Sequence, residues 1–201
     1  MPLQNRVQPT GEILSDPARG LFMGNRGILH DAQKRLGRAR WRHKAWVTCV
    51  LEHKDWHRDV MTPGAYTELF FLDEAVALAA GHRPCAMCRN ADYKAFRKAA
   101  GLTGSAKEMD AVMHDERALP RRFAQRRHQV ALKDLPDRAI ILEDHPKLLL
   151  NGTLRSVLPG GYGAPTPLGA ERIITLLTPP TSLRALRSGY VPRLHPSATS
   201  T

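Results

Sequence analysis

The chain has 201 residues, 42% of them hydrophobic and 24% charged, and thirty Lys and Arg against nineteen Asp and Glu give a formal net charge of +11. This composition suits a folded chain with one full core, or a small module with a second unit, and the positive excess points to an anionic partner, nucleic acid first. No apolar run reaches the roughly 18 residues of a membrane span, Met1 to Arg6 lacks the apolar core of a secretory signal, and three cysteines make no even-numbered disulfide framework, so a reducing cytoplasm is expected.

Residues 1–20 read as irregular, punctuated by Pro2, Pro9, Gly11, Pro17 and Gly20, with a short strand at Glu12 to Leu14. Leu21 to Gly27 reads as a strand running into a turn, and Ile28 to Leu36 as a short helical or turn segment. Arg38, Arg40, Arg42, His43 and Lys44 form a basic stripe beside Trp41 and Trp46. Ala45 to Leu51 is β-branched, aromatic and apolar, hence a strand. A turn is expected over His53 to Asp55, another at Pro63-Gly64, and strand character over Tyr66 to Leu72.

Asp73 to Ala80 predicts a short helix, with acidic residues at its start and Gly81 at the C-cap position. A second helix is expected from just after Pro84 through Ala99, with Tyr93 and Phe96 on one face. Gly101 to Ser105 marks the best internal boundary, dividing the chain into residues 1–100 and a basic α+β region over 105–201. Glu108 to Glu116 reads as helix, and Ala139 to Leu142 with Lys147 to Leu150 as a hairpin. Pro159 to Pro165 reads as loop, Ile173 to Leu177 as strand and Thr181 to Arg187 as helix. The expected fold class is α+β, with a small zinc-knuckle module embedded in the N-terminal half of a compact mixed domain.

Two of the cysteines lie in Arg83-Pro84-Cys85-Ala86-Met87-Cys88-Arg89. Two thiolates at Cys-x-x-Cys spacing can hold one zinc ion from a single tight turn, and such a pair is half of a tetrahedral site. Cys49 and His53 share a face at period two, and His57 follows the turn. The preferred set is Cys49, His57, Cys85 and Cys88, with His53 as the substitute: a closed, structural zinc site.

Tyr66 to Arg89 resembles the zinc-binding module of Ada-type DNA alkylation-repair proteins, in which an extended segment leads to a helix ending in Ala-Gly-aromatic-Arg-Pro-Cys-x-x-Cys. The similarity covers about residues 46–89. It implies a zinc-stabilised DNA-binding module. The chain departs from the pattern at the first knuckle, where His57 and Met61 stand at the ligand positions, and methyl transfer needs a zinc-bound thiolate there. The segment Arg19 to Gly27 is similar to one in uncharacterised bacterial proteins. Pro84-Cys85-x-x-Cys88 also fits half of a nucleobase-deaminase signature, but His57-Arg58-Asp59 carries Asp where that chemistry needs Glu.

Candidate phosphate contacts are Arg40, Arg42, Arg83, Arg89, Arg121, Arg122, Arg126 and Arg127. On a helix, Arg122 and Arg126 would share one face, and Phe123 and Arg127 another. The leading expectation is thus a zinc-containing protein that binds nucleic acid, DNA before RNA, in repair or regulation. A nuclease, glycosylase or deaminase is the second reading, with His30, Asp31 or Glu68 as its candidate catalytic groups. A structural or protein-interaction module is the third.

Overall fold

A computed structural model describes residues 1–54 and 57–200. The described residues form two six-stranded sheets, one two-stranded ribbon and four α-helices. The first sheet uses β1 (Gln4–Val7), β2 (Ile13–Ser15), β3 (Phe22–Asn25), β4 (Val47–Cys49), β5 (Leu69–Phe71) and β6 (Arg83–Pro84), in the order β2-β1-β5-β3-β4-β6. Its β1–β5 and β4–β6 pairs are parallel, the others antiparallel. β1 lies in the stretch expected to be irregular. Pro2 and Pro9 flank it rather than interrupt it, so the ladder keeps its donors.

Helix α1 (Glu74–Ala79) follows β5 directly. Every residue in it is buried. Its alanines leave room for close packing on all sides, and it touches both hydrophobic clusters of the molecule. Helices α2 (Asn90–Ala99) and α3 (Ala106–Arg117) come next. α3 begins earlier than expected because Ser105 and Glu108 form a capping box: Glu108 N–H donates to Ser105 Oγ, and Ser105 N–H donates to Glu108. The ribbon is β7 (Ala118–Leu119) with β8 (Ala124–Gln125). It occupies part of the basic stretch Arg121 to His128, which is therefore not an α-helix. Pro120 opens a single tight 3-10 turn, Phe123 takes φ +50°, and Arg126 N–H donates to Arg117 O. Arg122 and Arg126 therefore share no helix face.

The second sheet is antiparallel throughout: β9 (His128–Ala131), β10 (Ile140–Leu142), β11 (Pro146–Leu150), β12 (Thr153–Leu158), β13 (Gly161–Pro167) and β14 (Ile173–Leu176), in the order β13-β12-β11-β10-β14-β9. The expected hairpin is β10–β11, with Ile140 opposite Leu148. Strand β13 replaces an expected loop. Its prolines are tolerated because it is an edge strand, with one side unpaired. Helix α4 (Pro180–Arg187) packs on α2.

The continuous apolar runs of β10 and β11 are explained by burial on both faces. Ile140, Leu148 and Leu150 enter one cluster, and the alternate residues Ile141 and Leu149 enter the other. The first cluster joins Val7, Phe22, Leu69 and Phe71 to Ile140, Val157 and Tyr162, so it draws on both sides of the Gly101 to Ser105 segment. No helix among the described residues is long and apolar enough to cross a membrane.

Two adjacent carboxylates at the start of α1 tie these parts together. Asp73 caps the helix, accepting from Val76 N–H, and also accepts from Tyr162 Oη at 2.7 Å and His195 N–H at 2.9 Å. Burial raises its pKa, against the pull of those donors. Glu74 accepts from Arg89 at 2.7 Å, Tyr190 Oη at 2.5 Å and Arg193 N–H at 3.0 Å. Removing one partner of a buried pair leaves the other charge unpaired, at a cost of about 3–5 kcal/mol. Glu74→Ala should therefore lower the urea midpoint strongly. Arg35→Ala, which removes only an exposed pair with Asp31, should leave that midpoint unchanged. Equal effects would contradict this assignment.

Candidate metal centre

The three cysteines meet because two strands run side by side. β4 and β6 pair in parallel, with Val47 opposite Arg83 and Thr48 opposite Pro84. One residue further along that register, Cys49 lies opposite Cys85. The ladder is carried by Arg83 N–H to Trp46 O at 3.1 Å and Cys85 N–H to Thr48 O at 3.0 Å. Pro84 sits between them on an edge strand, where its missing donor costs nothing.

Gly81 turns the chain from α1 into β6. It has φ +83°, its N–H donates to Leu78 O, and His82 N–H donates to Ala77 O at 2.8 Å. This is a Schellman ending, which favours glycine. A Cβ there would also stand 2.4 Å from Arg117 Cδ. After Cys85 the chain makes a tight turn whose amides point at sulfur: Met87 N–H donates to Cys85 Sγ at 3.4 Å, and Cys88 N–H also stabilises that sulfur. Because residues 85–88 form this turn, α2 begins at Asn90 rather than just after Pro84.

One ligand atom from each of Cys49, Cys85 and Cys88 lies within 4.8 Å of the other two. A tetrahedral ion bonded to sulfur at about 2.3 Å sets its sulfurs about 3.8 Å apart. The three side chains are half-buried and form no disulfide, so the donor set fits one thiophilic metal ion. Their protons are strongly interdependent. The Cys85 thiol is pulled well below its usual range by hydrogen bonds from Cys49 and then Cys88. The thiol of Cys49 is pushed up, first by Cys85 and then by Cys88, and burial adds to this. One thiolate is thus easily formed, and a cation is needed to hold all three ionised.

The expected fourth ligand is not in this group. Among the described residues no His, Asp or Glu joins the three cysteines. His57 is exposed and His53 half-buried, and both lie outside the group. The turn expected over His53 to Asp55 includes Asp55, which lies outside the described residues. Met61 is fully buried, and its N–H donates to Glu68 at 2.7 Å. A three-cysteine group does not by itself identify an Ada-type module.

The arginines beside the knuckle are committed inside the fold. Arg83 makes a paired hydrogen bond to Asp110, both contacts at 2.7 Å, and Arg89 pairs with Glu74 and Asp92. Both are buried. This corrects the expectation that they present charge to phosphates. Arg42, Arg121, Arg122, Arg126 and Arg127 are exposed, and Arg40 half-buried. The candidate catalytic groups are also spoken for. His30 is hydrogen-bonded to Thr67 Oγ1 at 2.6 Å and Thr62 O at 3.2 Å. Asp31 accepts from Gln33 N–H, Arg35 N–H and the Arg35 side chain, which lowers its pKa. Glu68 accepts from Met61 N–H and pairs with Arg58.

The cationic cluster around Trp46 was not among the expected sites. Arg26 and Arg117 stack on that ring at 4.2 and 4.3 Å, and both are buried. Arg26 Nε donates to His82 Nε2 at 2.9 Å, and His82 Nδ1 donates to Val47 O at 3.0 Å, so His82 is neutral. Trp46 and Trp41 both meet His114 edge-on. Only the basic, Trp-containing stripe at 38–46 hinted at the region.

Burial, then Arg26, lowers the pKa of His82 well below normal, and burial, then Arg117, lowers His114 to about 4. Unfolded histidine titrates near 6.5. Between those values the unfolded chain binds more protons than the folded one, so stability is full above about pH 6.5 and falls as pH drops toward 4. Thermal melts from pH 7.5 to 4.5 should show this loss, and His114→Gln should make it shallower. An unchanged slope in His114→Gln would contradict a neutral buried imidazole.

No known family model, curated protein or solved structure matches this chain.

Proposed function

We propose that this protein is a zinc-containing nucleic-acid-binding protein of the cytoplasm, acting on DNA in repair or regulation, without the Ada methyl-acceptor chemistry. The carrying observation is the assembly of three sulfur donors from a strand and a distant Cys-x-x-Cys turn. Sulfur donors in near-tetrahedral reach select zinc over magnesium or calcium. Zinc bound there would lock β4 to the knuckle and supply structural order. The anionic partner is supported by the net charge of +11. It is also supported by position. The basic stretches at 38–44 and 121–128, far apart in sequence, meet at one cavity, to which they contribute Arg40 with Trp41 and Phe123 with Arg127.

A second reading, a nucleic-acid-processing enzyme, is favoured by one feature. Three sulfurs leave one tetrahedral position, and catalytic zinc sites use such a position for water. Zinc supplies Lewis acidity when it is bound with that position open.

Metal analysis of the purified chain should find one zinc per molecule. Cys85→Ser and Cys49→Ser should each lose most of it, and His57→Ala should keep it. Full retention in Cys85→Ser would overturn the site. DNA affinity should fall more than tenfold between about 50 and about 200 mM salt, as expected when several phosphates are neutralised. Salt-independent affinity, or no affinity for any nucleic acid at low salt, would overturn the binding reading.

A further inference from the structure

A cavity of about 420 Å³ opens beside Trp46, between the end of the first sheet and the β7–β8 ribbon. Its volume lies in the range of small-ligand sites, about 300–1,000 Å³. Three kinds of group line it. Trp41, Trp46 and Phe123 supply rings, with Trp41 5.0 Å from Phe123 and 5.3 Å from Trp46. Arg26, Arg40 and Arg127 supply positive charge, against Glu12 as the acid on the wall.

The third group is Gln125. Its Nε2 donates to Ala79 O at 2.6 Å and Leu177 O at 3.0 Å, which fixes the amide. Its Oε1 is buried and accepts no hydrogen bond. Gly11, with φ +84°, lies against that oxygen, and a Cβ there would stand 2.7 Å from it. Gly11 closes off that oxygen, so Gln125 is a fixed part of the wall and offers no contact to a ligand.

The two buried guanidiniums on Trp46 have no carboxylate in direct contact. Arg26 and Arg117 hydrogen-bond to His82 and to backbone carbonyls rather than to carboxylates. Burial brings each down to about 9. Arg26, with Arg40 and Arg127, makes the cavity wall positive, which attracts an anion.

We propose that this cavity receives one unpaired nucleotide, with its base against Trp41 and Phe123 and its phosphate on Arg40 and Arg127. Flat rings, an N–H donor and a negative group occur together in a nucleotide. Glu12 can accept an N–H from the base edge. The inference deepens the nucleic-acid reading and rests on it for the source of the nucleotide. A free nucleoside monophosphate offers the same chemistry as an unpaired nucleotide in a strand.

The test uses the full chain and 2-aminopurine, whose fluorescence is quenched when it stacks. The base is placed in a single-stranded overhang, or inside a blunt duplex. Free deoxyadenosine monophosphate is the competitor. Overhang DNA should bind about tenfold tighter than blunt duplex or better, the size of effect that base–aromatic stacking gives, and its 2-aminopurine should be quenched. Trp41→Leu should abolish both the preference and the quenching. Arg127→Gln should weaken the preference. Arg127 is exposed, so that variant should melt like the wild type and guards against a folding artefact in Trp41→Leu.

Equal binding of overhang and blunt duplex without quenching would overturn the cavity assignment and leave DNA binding standing. An overhang preference that survives Trp41→Leu would also overturn it. If no DNA binds but the free monophosphate quenches tryptophan fluorescence in the wild type and not in Trp41→Leu, the cavity chemistry stands and the nucleic-acid function fails. If neither binds, both fail.

Discussion

The buried pair of carboxylates at Asp73 and Glu74 is the constraint on which the rest of the structure leans. An isolated charge in a protein interior is costly, and these two are tolerated because each collects donors from several elements. Asp73 draws in Tyr162 from the second sheet and the backbone of His195, and Glu74 draws in Arg89, Tyr190 and the backbone of Arg193. One dipeptide thus anchors the C-terminal tail, the second sheet and the end of the cysteine turn. Arg89 directly follows Cys88, so this ion pair fixes the turn that presents two of the three sulfurs. Arg89 also stacks over Phe22 at 4.5 Å, which extends the same anchor into the first core cluster.

The metal centre and the cavity share one strand pair. Trp46 and Thr48 are buried, while Val47 and Cys49 alternate with them and are half-buried. Four consecutive residues therefore serve two sites: Trp46, just before β4, forms part of the cavity wall, and Cys49, at the end of β4, supplies a sulfur ligand. His82 to Cys85 runs alongside. It contributes the buried imidazole that pairs with Arg26, then the ladder hydrogen bonds, then Cys85. Metal bound by Cys49 and Cys85 would clamp the two strands just beyond their last ladder contact.

Much of this was legible in the sequence, for identifiable reasons. The Cys-x-x-Cys turn is local, and the Asp73 start and Gly81 end of α1 follow from capping chemistry that acts within one or two turns. The β10–β11 hairpin was visible as two apolar runs separated by a short polar turn. Other features depended on partners far along the chain. That Cys49 lies opposite Cys85 is a matter of register between strands 36 residues apart in sequence, and period-two alternation cannot fix register. Arg83 and Arg89 looked like surface charge because their buried carboxylates, Asp110 and Glu74, lie far from them in sequence; Asp92, the nearby partner of Arg89, is itself exposed. The prolines and glycines of β13 imitate a loop, and only its edge position makes them compatible with a strand. The Arg121 to His128 patch was legible only as a run of basic residues, with no structure assigned to it. One proline and one positive φ, at Pro120 and Phe123, turned it into a ribbon that carries Phe123 and Arg127 to the cavity.

The proposed metal centre requires Cys49, Cys85 and Cys88 to bind one zinc ion together. X-ray absorption at the zinc edge of the purified chain tests it most directly, because it counts sulfur neighbours without a substitution. A shell of three sulfur ligands at about 2.3 Å and one lighter N or O ligand is expected. A zinc shell with two sulfurs or fewer, or a chain that takes up no zinc when its thiols are reduced, would contradict it.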